Sequence, residues 1–434
     1  MSSLLIRGGR LLDPANGVDR VADVLVADGR IRAIGEGLPV PPGATVIEAS
    51  GKVVAPGFID VHVHLRVPGQ EYKEDMRTGT AAAVRGGFVG VVCMPNTRPV
   101  IDSAPLVAHV LDLAGREGLC RVWPAGAITK GSQGEELAEI GEMARAGAVA
   151  VTDDGKPVDR AETMRQAMIY ARQFDLPVMD HCEDRSLSAG GAMHEGRVSS
   201  LLGLKGIPAA AEEVHVARDI LLALETGARV HLQHLSSRRS VELVRWGKAQ
   251  GARVTAEATP HHFTLTDQAV ADMAYSPNTK MNPPLREEAD RQAILEGLAD
   301  GTIDVIATDH APHHVDEKDV EYPLAAFGIT GLETAVGLAL DRLVRPGLIR
   351  LEQLILMLST RPARLINRTP PALREGAEAD ITVLDLERTW TVSADEMASK
   401  SRNSPFIGWT LTGAPYATVV GGRLRMLEMK VIAG

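Results

Sequence analysis

The residues best suited to chemistry are histidines, and their spacing is informative. His62 and His64 stand two apart in the apolar run from Phe58 to His64. Residues two apart on a strand point to the same face, so both imidazoles would be presented together and could bind one divalent cation. His181 ends a second apolar run after Pro177-Val178-Met179, His234 ends a third, and Asp309 closes a fourth within Ala307-Thr308-Asp309-His310-Ala311-Pro312-His313. A carboxylate in that company can bind a metal and take a proton from activated water, the combination that hydrolysis requires. Asp153 and Asp154 offer a bridging carboxylate for two ions. Strand neighbours point to opposite faces, so only one of them can face inward, and spacing alone does not choose between them. His231, three residues before His234, faces away and deeper, which is a packing position.

Other polar residues fall near the ends of apolar runs: Arg66, Asn96, Asn282 and His313. Arg66 suggests an anionic substrate, because a guanidinium can grip a carboxylate in bidentate fashion. Cys182 adjoins His181 but faces away from it and reads as a buried hydrophobe. The pairs Gly86-Gly87 and Gly421-Gly422 lack the flanking residues of a phosphate-binding loop.

These residues need elements to position them. Eight short apolar runs recur between helical patterns: 58–64, 88–94, 121–124, 148–154, 176–181, 228–234, 253–257 and 303–309. Eight strands with crossover helices, such as the stretches 161–174 and 213–225, spell an α/β fold of the (β/α)8 barrel type. Nearly every run stops in a polar cluster, and the carboxyl ends of barrel strands are where such folds place their chemistry. Residues 1–55 read instead as short strands and turns, with Asp28-Gly29 as a hairpin signal, and the chain returns to that style from about residue 372. The expected organisation is therefore a barrel over 56–371 and a small β-sandwich built jointly from 1–55 and 372–434.

Composition narrows the function classes. The chain has 434 residues, 45% hydrophobic and 24% charged, which excludes a disordered chain. A net charge of −10 argues against a nucleic-acid binder held by a basic face, and 3% aromatic residues argue against a base-stacking platform. No stretch approaches the ~20 apolar residues of a membrane span, and Arg7 interrupts the first apolar run too early for a signal peptide. Three cysteines without a CxxC pair exclude a disulfide framework and favour a reducing, cytoplasmic setting.

The run from Pro56 to Gly69 (PGFIDVHVHLRVPG) resembles the entry motif of the amidohydrolase superfamily in its dihydroorotase form. Residues 307–313 (ATDHAPH), with Lys318, resemble that family's second motif. The blocks 94–97 (MPNT), 152–155 (TDDG), 281–284 (MNPP) and 326–331 (AFGITG) are similar to intervening family blocks in the same order, so that the resemblance spans essentially the whole chain and is closest to the long bacterial type I. It implies two zinc ions per subunit, one held by His62, His64 and Asp309 and the other by His181 and His234, with Asp154 as the bridge. Arg66, Asn96 and His313 would hold a substrate carboxylate, and Asn282 with the backbone at Phe327 and Gly328 would contact the ring. The implied reaction is the reversible hydrolysis of the cyclic amide of dihydroorotate to N-carbamoyl-aspartate. Asp309 would take a proton and return it to the departing nitrogen, and ring closure is the direction used in pyrimidine synthesis. The family's usual small apolar residue before the fifth-strand histidine is replaced here by Asp180. Two alternatives stand beside this expectation: a hydantoinase or allantoinase, which typically bridges its metals with a modified lysine, and an inactive scaffold subunit for aspartate transcarbamoylase. A homo-oligomer, with a dimer favoured, and a complex with aspartate transcarbamoylase are further expectations of the resemblance.

Overall fold

The computed structural model describes residues 3–432. Strands β1 (Leu4–Asp13) and β2 (Val18–Ala27) pair antiparallel, and β3 (Arg30–Gly35) follows β2 as a hairpin. The turn between β2 and β3 is Asp28-Gly29, both left-handed at φ +53° and +76°, the double positive φ that a tight two-residue hairpin requires. β4 (Thr45–Glu48) and β5 (Val53–Pro56) run parallel to β1.

The barrel begins one residue later with β6 (Phe58–Val63). It continues through β7 (Phe88–Cys93), β8 (Arg121–Gly126), β9 (Ala150–Val151) and β10 (Val178–Asp180). A short parallel pair, β11 (Met193–His194) and β12 (Gly206–Ile207), interrupts the series before β13 (Val230–Leu232), β14 (Val254–Ala258) and β15 (Val305–Ile306). The eight barrel strands are those expected from the apolar runs, and they follow one another in chain order in a single parallel sheet. Every residue of β6 and β7 is buried, as parallel strands covered on both faces must be. The seam between β6 and β15 is closed by a parallel bridge from Val63 to His310, by the His64 amide donating to the His310 carbonyl at 2.8 Å, and by Asp60 Oδ1 accepting the Thr308 amide at 3.2 Å.

The crossover helices bury one stripe each. In the helix Ala161–Arg172 the buried apolar residues are Met164, Ala167, Met168 and Ala171, the i, i+3, i+4, i+7 spacing of a helix lying on a sheet. The helix Met76–Arg85 starts at Asp75, whose side chain accepts the Thr78 amide at 2.8 Å, which satisfies one of the unpaired amides of the first turn.

After the barrel the chain returns through β16 (Ile381–Thr391), which pairs antiparallel with β5, and then through β17 (Thr410–Val420), β18 (Arg423–Leu427) and β19 (Lys430–Val431). Both chain ends thus join in one nine-stranded sheet, as expected. Its own apolar cluster draws Leu4, Ile6 and Val24 from the first end and Ile381, Val383 and Val419 from the second.

Candidate active site

The strand ends converge at the rim formed by the carboxyl ends of β6 to β15. His62 lies in β6 and His64 just beyond it, His181 follows β10, His234 lies two residues past β13, and Asp309 three past β15. Asp154 is three residues past β9 and sits at the centre of the group. Its Oδ1 lies 3.4 Å from His62 Nε2, 3.6 Å from His181 Nδ1 and 4.0 Å from His234 Nε2, while its Oδ2 lies 3.4 Å from His64 Nε2. Asp309 Oδ1 lies 3.0 Å from His64 Nε2 and 3.4 Å from His62 Nε2. His181 Nδ1 and His234 Nε2 are 2.8 Å apart. Two of the three potential ligand groups among the described residues lie at this rim, His62 with His64 and Asp309, and His62 with Asp154 and His234, so His62 belongs to both; the third is Asp180 with Cys182 and Asp219.

The choice between the paired aspartates is made by the turn after β9. Asp153 turns away and accepts the amides of Ile128 and Thr129 at 2.8 and 3.1 Å, together with the Thr129 hydroxyl. Burial pushes its carboxyl up to about 6. Asp154 is left as the acid that meets the histidines.

Three residues of this rim have left-handed backbone: Arg66 at φ +61°, His234 at +32° and Asp309 at +48°. Non-glycine residues in that region carry strain and cluster at functional sites. All three side chains line the same cavity.

Electrostatics favour cations at the centre. Burial opposes protonation of His62, yet the carboxylates of Asp309, Glu257 and Asp154 raise its pKa well above the usual imidazole value. His181, although buried, is likewise pushed up to about 10 by Asp154 and Glu183. Burial and the positive charges of His181 and His62 push His234 down to about 3. Asp154 and Asp309 are held below the carboxylate range, because the neighbouring imidazoles outweigh their burial. His62 Nε2 is buried and has no hydrogen-bond partner among the described residues. An orphaned imidazole nitrogen facing two carboxylates, beside further imidazole nitrogens, is a nitrogen- and oxygen-rich donor set that fits divalent metals of the zinc kind.

A cavity of about 230 Å³ opens above the cluster, and its wall includes His64, Asp154, His181, His234 and Asp309. Arg66, Asn96, Asn282, His313, Phe327 and Gly328 line the same cavity. Of the residues expected to hold metal or substrate, His62 alone is not on its wall. Arg66 is anchored by Nε donating to the Pro312 carbonyl at 3.1 Å and stands 3.2 Å through Nη2 from His313 Nε2. Asn96 donates to Asp154 Oδ2 at 3.1 Å, and its Oδ1 lies 2.9 Å from His64 Nδ1. Asn282 lies across the cavity, donating to Glu183 Oε2 at 2.9 Å. Lys318 Nζ binds the carbonyls of Ala326 and Gly328 at 2.8 and 2.9 Å and so fixes the backbone at Phe327 and Gly328. At Gly328, φ +125° and a built Cβ only 2.6 Å from the Ala311 Cβ leave no room for a side chain. A larger cleft of about 490 Å³ next door shares His313 but contains none of the ligand groups.

Some residues of the site were not singled out from the sequence. Glu183 Oε2 lies 3.1 Å from His181 Nε2. Glu257 lies beneath His62 with its Oε1 2.6 Å from Nδ1. The available signal was an acid at the end of the seventh apolar run. His231 is fully buried, but it is hydrogen-bonded rather than merely packed, its Nε2 3.0 Å from Glu257 Oε2. Cys182 is buried as expected, next to Asp180, which pairs with Arg218 at 3.3 Å.

A family model described as "Dihydro-orotase-like" matches residues 51–240. A dihydroorotase from Pelotomaculum thermopropionicum is 55% identical over 425 residues, 98% of this chain and 99% of that one. The chain belongs to the dihydroorotase family. A second dihydroorotase, from Citrifermentans bemidjiense, is 52% identical over 97% of this chain and 99% of its own length. Among solved structures, the L-hydantoinase (dihydropyrimidinase) of Arthrobacter aurescens superposes with a TM-score of 0.88 at 25% identity, covering 100% of this chain and 98% of that one. The dihydropyrimidinase of Brevibacillus agri, with a TM-score of 0.85 at 22% identity over 99% and 96% of the two chains, shares the fold. Members of the family are metal-dependent cyclic amidohydrolases built on the same barrel, and this chain is such an enzyme.

Proposed function

We propose that this chain catalyses the reversible hydrolysis of the cyclic amide of (S)-dihydroorotate to N-carbamoyl-L-aspartate, running toward ring closure in pyrimidine synthesis, with two zinc ions per subunit. The observation that carries the proposal is Asp154, one carboxylate lying within 4.0 Å of four imidazoles under a cavity that Arg66 also lines. His62, His64 and Asp309 would hold one ion, His181 and His234 the other, and Asp154 would bridge them. Divalent zinc held by these residues would supply Lewis acidity, activating water near neutral pH and polarising an amide carbonyl.

The protein side of the reaction follows from the cavity wall. Arg66, with Asn96 and His313, receives the substrate carboxylate through charge-assisted hydrogen bonds. Asn282 and the backbone at Phe327 and Gly328 hold the ring across from it. Asp309 presents Oδ1 to His62 and His64, which leaves Oδ2 for the proton. Hydrolysis places the water oxygen on the carbonyl carbon and one proton on the departing nitrogen, and Asp309 carries that proton in both directions. All three cysteines are free and buried, which suits the reducing cytoplasm.

A hydantoinase activity is the main alternative, since those enzymes share the fold, but their substrates need no carboxylate grip such as Arg66 would provide. Purified protein assayed in parallel on dihydroorotate, hydantoin and allantoin tests the proposal, with zinc counted by mass spectrometry. Turnover of dihydroorotate, lost on chelation and restored by zinc, is expected. Preference for hydantoin or allantoin overturns it, and a chain with no zinc and no turnover points instead to the scaffold alternative.

A further inference from the structure

Beneath the cluster lies a carboxylate that the reaction does not use directly. Glu257, in β14, is fully buried, and both of its oxygens are engaged. Oε1 lies 2.6 Å from His62 Nδ1 and also accepts the His234 backbone amide at 3.1 Å. Oε2 lies 3.0 Å from His231 Nε2, and His231 Nδ1 lies 2.8 Å from the Thr255 hydroxyl. A carboxylate so far from water is costly unless it is paired and hydrogen-bonded, and these partners supply both.

The contact with His62 has a definite consequence. Glu257 as a carboxylate can only accept, so His62 carries a proton on Nδ1, and with a metal bound the lone pair of Nε2 would point into the group of Asp154 and Asp309. The contact with His234 acts through the backbone. His234 is held at φ +32°, and the hydrogen bond from its amide to Glu257 anchors the backbone of a residue whose imidazole faces His181 and Asp154. The two contacts thus reach one histidine from each half of the proposed ligand set. We propose that Glu257 is a positioning residue shared by both metal sites, orienting the His62 ring for one ion and the His234 backbone for the other, with His231 as its support.

The inference rests on the proposed assignment of these histidines as metal ligands. It is tested by measuring the two stepwise zinc dissociation constants of the full chain by chelator competition, together with the cobalt(II) absorption spectrum. Glu257→Gln keeps the shape and removes the charge. It is expected to weaken both constants by about 10- to 100-fold, the usual effect of losing a partner behind a metal ligand, and to alter the cobalt bands. A merely structural role would lower the melting temperature of the metal-free protein and leave both constants unchanged. If Glu257→Gln does not fold, His231→Leu, which strips support from Oε2, should weaken both constants and His231→Gln should restore them. Wild-type constants in Glu257→Gln, or in His231→Leu where that is the variant measured, overturn the inference, as does weakening at one site alone. A wild-type chain that holds no zinc refutes the metal assignment itself, so the two failures are distinguishable.

Discussion

Replacing Asp309 by asparagine tests its proposed proton-carrying role, with zinc counted alongside because the same residue is assigned as a metal ligand. The substitution keeps side-chain shape and an oxygen that can face His64 Nε2 at 3.0 Å and His62 Nε2 at 3.4 Å, but it removes the charge and the ability to accept a proton. The carboxylate is buried, yet His62 and His64 hold its pKa below the ordinary range. Loss of a positioned acid–base group costs about 10²- to 10⁴-fold in rate, or roughly 3 to 5 kcal/mol of transition-state stabilisation at about 1.36 kcal/mol per tenfold. Because Arg66 rather than Asp309 is assigned the substrate carboxylate, the loss should appear in kcat with KM little changed, the pattern of an interaction made only in the transition state. Steady-state kinetics in both directions, with zinc counted on the same preparation, make the measurement. A variant that retains both zinc ions and turns over at the unmodified rate refutes the assignment.

The remaining expectations address the neighbouring groups. Arg66→Met should raise KM for dihydroorotate by about 10- to 100-fold, as the loss of a charged hydrogen bond worth about 1.5–3 kcal/mol implies; unchanged KM removes Arg66 from the substrate grip. Asp153→Ala should keep its zinc but lose about 2–4 kcal/mol of stability through the orphaned amides of Ile128 and Thr129, whereas Asp154→Asn should fold and lose zinc; denaturation curves and metal counts separate the two. Acid should destabilise the protein through His194 and His215, two buried histidines outside the proposed ligand set. Burial, and then Arg286 beside His194 and Arg218 beside His215, push both imidazoles from 6.5 down to about 4. The unfolded chain therefore binds more protons across that interval, so stability is full above about 6.5 and is lost as the pH falls through about 4. Urea midpoints at pH 7, 5.5 and 4.5 should fall in that order, and replacing both residues by glutamine should flatten the trend.

Much of the architecture could be read directly from the amino-acid order. The eight barrel strands were legible because strands buried on both faces must be nearly continuous apolar runs, and β6 and β7 are buried at every position. The spacing of His62 and His64, and the acids and histidines closing the other runs, marked which end of the barrel carries chemistry. Local turn chemistry was equally plain at Asp28-Gly29, where both residues adopt positive φ.

Tertiary structure decided what periodicity cannot express. Asp153 and Asp154 are indistinguishable by type, and only the turn at Ile128 and Thr129 claims the first and leaves the second among four imidazoles. His231 looked like packing because strand alternation gives a side chain its face but not its neighbour, and the neighbour is Glu257 from the adjacent strand. Glu257 meets His62 across 195 residues of chain, and the left-handed backbone of Arg66, His234 and Asp309 is imposed by the closed rim against their own preference. Residue types and local spacing act over a few positions, so they specify strands, turns and the kind of chemistry available; which oxygen faces which nitrogen depends on barrel closure, which brings distant segments to one point.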